Sequence, residues 1–77
     1  MNTSRTNVIV YVKQTLHQGQ SRDISKTIGA LHGVVNAYNS RRTENMICVE
    51  YDPHIIDSQH ILQRARDHGV PARLIGM

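Results

Sequence analysis

Hydrophobic and polar positions alternate with two different periods along the chain, and the switches between them mark out the elements. Residues 7–13 (NVIVYVK) are β-branched and aromatic, which favours a strand. A period of two puts Val8, Val10 and Val12 on one face and Ile9, Tyr11 and Lys13 on the other. Residues 14–21 (QTLHQGQS) lose this pattern and read as a loop. Ser21 is the expected N-cap of a helix, with Asp23 in a first turn favoured by the helix dipole. Ile24, Ile28 and Leu31 follow at i, i+4 and i+7, and Gly33 is expected to end that helix at the C′ position. Residues 34–40 (VVNAYNS) predict a second strand, and 41–45 a polar hairpin connection. Residues 46–51 (MICVEY) predict a third strand, with Ile47, Val49 and Tyr51 alternating against Met46, Cys48 and Glu50. Asp52 and Pro53 stop it, because proline lacks the N–H that a ladder needs. A second helix is expected to start at Asp57 or Ser58, to bury Ile61, Leu62 and Ala65, and to close at Gly69 before Pro71. Residues 72–75 (ARLI) supply a short last strand.

The order is βαββαβ. Both helices lead into similar words, Leu31-His32-Gly33-Val34 and Asp67-His68-Gly69-Val70, which suggests two βαβ halves. Right-handed crossovers then put both helices on one face of a four-stranded antiparallel sheet, an α+β ferredoxin-like sandwich. Residues 1–6 are expected to be a disordered polar tail and 7–77 a single domain. A chain of 77 residues buries only about 60% of its unfolded surface, so its core is thin and function must sit on a loop, a face or an oligomer interface.

Charge and cysteine usage narrow the classes. A net charge of +3, concentrated at Arg41-Arg42 and at Arg64 and Arg66, is too sparse for the basic stripe that nucleic-acid binding requires. Tyr11 and Tyr51 suggest the stacking residues of RNA-recognition motifs, but the strand alternation sends them to opposite faces. With one cysteine, Cys48, the chain can form neither an internal disulfide nor a multi-thiolate site. The polar start is followed by no long apolar stretch, so no membrane insertion is expected and the cytoplasm is the expected compartment. Nucleophile elbow, phosphate loop and paired carboxylates are all lacking, and no enzymatic activity is expected.

From Val8 to Ile75 the sequence resembles the heavy-metal-associated domains of copper chaperones and metal-pumping ATPases. Gly33-Val34 matches that family's glycine-valine after helix one. Its V-x-V-x-Y-D-P strand matches Ile47, Val49, Tyr51, Asp52 and Pro53. Ser58 and Ile61 match its serine-initiated second helix, and Asp67, Gly69, Val70 and Ala72 its closing D-x-G-Y-x-A. The family's G-M-x-C-x-x-C motif lies in the loop after strand one. Counting back from Gly33 sets that motif on residues 14–20, with the methionine on Thr15, the first cysteine on His17 and the second on Gln20. The resemblance thus implies a metal- or cofactor-binding module whose two thiolates are replaced, with His17 and Gln20 as site residues. Imidazole suits zinc, nickel, cobalt, copper(II) or haem iron better than copper(I). The implied partner is a metal transporter or metalloprotein.

Each candidate has a plainer alternative. His17 is either a ligand in that loop or a solvated loop histidine. One histidine and a glutamine do not complete a structural zinc site, which takes four ligands, so a second chain, another residue or a cofactor is required. His32, His54, His60 and His68 read as capping or solvated residues with no compact ligand spacing. Ile9, Tyr11, Tyr38, Met46 and Cys48 share the sheet face away from the helices, and are either scattered surface hydrophobes or an interaction surface. The second function class is therefore a metal-free interaction module, acting through that face or as a homodimer.

Overall fold

A computed structural model describes residues 5–14, 16, 18–41 and 45–76. The elements are β1 (Thr6–Val12), α1 (Gln18–Gly29), β2 (Val34–Asn39), β3 (Met46–Tyr51), α2 (Ser58–Arg66) and β4 (Ala72–Gly76). The strands form one sheet in the order β2-β3-β1-β4, with every neighbouring pair antiparallel. This is the expected βαββαβ sandwich.

The alternation in β1 and β3 decides which face is covered. Val8, Val10, Val12, Ile47, Val49 and Tyr51 are buried, and they pack with Ile24 and Ile28 of α1 and Ile61, Leu62 and Ala65 of α2. Full burial of each large aliphatic side chain stabilises by roughly 1.5–3 kcal/mol. Both helices therefore lie on this face, and the other face is open.

Both ends of α1 differ from the sequence reading. α1 begins at Gln18, so Ser21 is inside the helix and is not its N-cap; nor does Asp23 fall in the first turn, which carries no acidic residue. Ser21 and Ser25 are buried and face the sheet, and they continue the Ile24/Ile28 stripe one turn towards the N-terminus. Their partner is Asn39, which pairs with Ile47 and so faces the helices. The Asn39 carboxamide accepts from Ser25 Oγ at 3.1 Å and donates to the Ser21 carbonyl at 3.3 Å and to Ser21 Oγ. Small polar side chains let α1 lie close to β2, and their hydrogen bonds offset the cost of burying them.

The second difference is at the helix end. α1 stops at Gly29, and a tight turn (Leu31 N–H to Ile28 O, 3.0 Å) carries the chain to Gly33. Gly33 has φ +100°, and a Cβ there would meet Ile55 Cγ2 at 2.7 Å and Ile56 Cγ2 at 2.8 Å. Backbone conformation and close packing both require glycine at this point. Its counterpart Gly69 has φ +79°, so the two echoed sequence words do share a backbone conformation.

Strand limits shift by one residue from the expected ones: β1 starts at Thr6, inside the predicted tail, and β4 reaches Gly76. β2 carries an irregularity between Val34 and Asn36, which leaves Val35 as the extra residue on an edge strand. Asp57 caps α2 through its side chain, as expected, accepting from the His60 backbone N–H at 2.9 Å. No described helix is long and apolar enough to cross a membrane.

Candidate functional site

The β1–α1 connection is held from both sides. Val12 N–H donates to Asn45 O at 2.8 Å, and the Asn45 carboxamide donates back to the carbonyls of Val12 (3.1 Å) and Gln14 (2.5 Å). Lys13 N–H donates to Pro71 O at 2.8 Å. The β2–β3 and α2–β4 connections thus meet this loop at one end of the sandwich. Leu16 is sunk into the core, which pins the middle of the connection. Gln20 is half-buried in the first turn of α1, so the expected loop over 14–20 is shortened by three helical residues. His17 and Thr15 lie outside the described residues. Among the described residues, no group of three His, Cys, Asp or Glu side chains is placed to hold an ion.

The open face brings the other expected residues together. Ile9 sits opposite Cys48 on one side and Ile75 on the other, and Cys48 is in turn opposite Tyr38. One row across all four strands is therefore Tyr38, Cys48, Ile9 and Ile75. Tyr11 lies opposite Met46 and Arg73, and the Arg73 guanidinium stands 5.5 Å from the centre of its ring. Tyr38 is 54% exposed, whereas Ile9, Tyr11, Met46 and Cys48 are each partly covered by their neighbours. Ile75 and Arg73 complete this face and were not singled out by sequence, because a short C-terminal strand gives little alternation to read.

A cleft of about 460 Å³ opens at the opposite end of the sandwich, where the turn before β2 meets the β3–α2 connection. Leu31, Ile55 and Ile56 are among its apolar lining, and His32, His54, His60 and Asp57 also line it. Asp57 Oδ1 is 2.8 Å from His60 Nδ1. The His60 backbone N–H and then its ring hold the Asp57 carboxyl below its ordinary value. The sequence reading separated these histidines because they come from two different connections.

No family model matches the sequence. No curated protein sequence matches it either. Solved structures do. The copper-binding domain of HMA7, a P-type ATPase, superposes with a TM-score of 0.81 at 20% identity over 92% of this chain and 95% of that one. Oxidized MerP from Ralstonia metallidurans gives 0.81 at 18% identity over 92% and 97%. The yeast copper transporter domain Ccc2a, solved in apo and Cu(I)-loaded states, gives 0.78 at 25% identity over 94% and 96%. Coverage of both chains is nearly complete, so the likeness is one of whole domains and not of a shared hairpin. The chain has the fold of the copper-chaperone-like, heavy-metal-associated domains.

Proposed function

We propose that this chain is a small, non-enzymatic metal-binding module that uses the β1–α1 loop, with His17 as first ligand and Gln20 beside it. The observation that carries this reading is the whole-domain likeness to metal-binding domains, combined with a loop that is anchored by Asn45, Pro71 and Leu16. A tethered loop presents its donors with less ordering cost than a free one. Two thiolates cannot come from a chain with one cysteine, and Cys48 sits in the middle of the open face. The ion is accordingly a borderline one such as zinc, nickel, cobalt or copper(II), or haem iron, and not copper(I). The remaining coordination positions are filled by water or by the protein that delivers or receives the ion, a metal transporter or metalloprotein. Thermal unfolding with and without zinc, nickel(II) or copper(II) tests this. The midpoint should rise with ion concentration in the native chain and stay fixed in His17→Ala. A rise of equal size in both would remove His17 from the site.

The continuous row Tyr38, Cys48, Ile9 and Ile75 favours a second reading, a metal-free interaction module or homodimer using the open face. It predicts no metal effect, and a smaller species in sedimentation when Tyr11 or Met46 is replaced by glutamate.

A further inference from the structure

Two asparagines, one on either side of the β2–β3 connection, take hold of the β1–α1 connection at its two ends. Asn45 comes immediately before β3 and reaches the root of the loop, where β1 ends. Its carboxamide donates to Val12 O at 3.1 Å and to Gln14 O at 2.5 Å, and its backbone carbonyl accepts from Val12 N–H at 2.8 Å. Asn39 is the last residue of β2 and reaches the far end of the loop, in the opening turns of α1. It donates to Ser21 O at 3.3 Å and to Ser21 Oγ, and accepts from Ser25 Oγ at 3.1 Å. Between the two asparagines the hairpin is itself closed, by Ser40 N–H donating to Met46 O at 2.8 Å.

These side-chain bonds to the backbone span 18 residues at one end and 31 and 33 at the other. Neither β1 nor α1 could supply them alone. His17 and Gln20 fall between residues 14 and 21 in the chain, so both proposed ligands belong to the stretch whose ends are fixed in this way. A loop fixed at both ends has less freedom to give up when it closes on an ion. The spacing of its donors is then set before the ion arrives. Asparagine suits this task, because a carboxamide donates and accepts at once and brings no charge.

We infer that Asn39 and Asn45 are positioning residues of the ion-binding loop, and that the β2–β3 hairpin sets the shape of the site. The inference rests on the loop reading given under Proposed function. Neither asparagine is a ligand: each acts on the ion through the backbone it holds.

Copper(II), the tightest-binding of the first-row divalent ions, is the probe, read by EPR on the full chain. The signal that belongs to the loop is the part lost in His17→Ala. Asn45→Ala should weaken this His17-dependent binding about tenfold. It should also change the hyperfine splitting of the saturated site, while the amide signals of α2 and β4 still overlay the native ones. Asn39→Ala, read at a temperature where it is folded, should do the same. The double variant should lose less affinity than the two single losses combined, because either substitution alone already releases the loop. The inference is overturned if Asn45→Ala binds copper(II) as tightly as the native chain. It is also overturned if binding weakens with no change in the spectrum of the saturated site, which would make Asn45 a contributor to stability alone. A native chain with no His17-dependent signal overturns both the inference and the loop reading. A native signal that persists unchanged in Asn45→Ala overturns the inference and leaves the loop reading standing.

Discussion

The two faces of the sheet are built from alternate residues of the same strands, yet they obey different physics. On β3, Ile47 is fully buried while its neighbour Cys48 is only partly covered, by Ile9 and Tyr38. The covered face is closed by two helices and holds the stability of the domain. The open face could be rewritten with little effect on folding, and so it is free to record an interaction. The comparison teaches that hydrophobic character alone does not separate core from candidate interface here. Position relative to α1 and α2 does.

The sharpest test of that contrast is a pair of neighbouring substitutions. Ile47→Ala should destabilise by about 2–5 kcal/mol, because it opens a cavity in the core on the helix-covered face. Cys48→Ala, one residue on, should change stability by no more than about 0.5 kcal/mol. Urea unfolding of both variants reads the difference. Equal losses would mean that the open face is covered in solution.

A smaller effect is expected where the covered face is polar. Asn39→Ala removes the partner of two buried serines, Ser21 and Ser25, and should cost about 1–3 kcal/mol. If Asn39→Ala is neutral, those serines are wet and α1 is less tightly seated than the contacts imply.

The smallest effect lies at the cap of α2. Asp57 is held below its ordinary value of 3.8, first by the backbone N–H of His60. Its contribution to stability is therefore present above pH 3.8 and is lost as pH falls through the lowered folded-state value. Asp57→Asn, which still caps, should lose only that charge-dependent part. Its unfolding midpoint should lie slightly below the native one at neutral pH and converge with it in acid. A constant gap across that range would assign the difference to something other than the charge.

How much of this was legible in the sequence follows from which signals were local. Period-two alternation in residues 8–12 and 46–51 is a local signal, and it placed every core residue of β1 and β3 on the correct face. The start of α1 was not legible for a physical reason. Ser21 followed by Asp23 looks like a cap, because serine is commoner there than in a core, and the Asn39 contacts that help offset its burial come from a distant strand. The end of α1 was misread because a left-handed glycine marks a turn, and at Gly33 that turn lies beyond the helix. Gly33 answers to Ile55 and Ile56, which are non-local. For the candidate sites, the sequence placed Ile9, Tyr11, Tyr38, Met46 and Cys48 on the open face but missed Ile75 and Arg73. The histidine cleft depends on two connections meeting in space, and spacing along the chain carries no trace of it.

The measurement that bears most directly on the account is an amide and imidazole NMR titration of the native chain with zinc, nickel(II), copper(II) and haem in turn. The account predicts stoichiometric perturbation centred on residues 17–20 with at least one of these, lost in His17→Ala. Absence of any perturbation in that loop, with all four, would contradict it and leave the open sheet face as the functional surface.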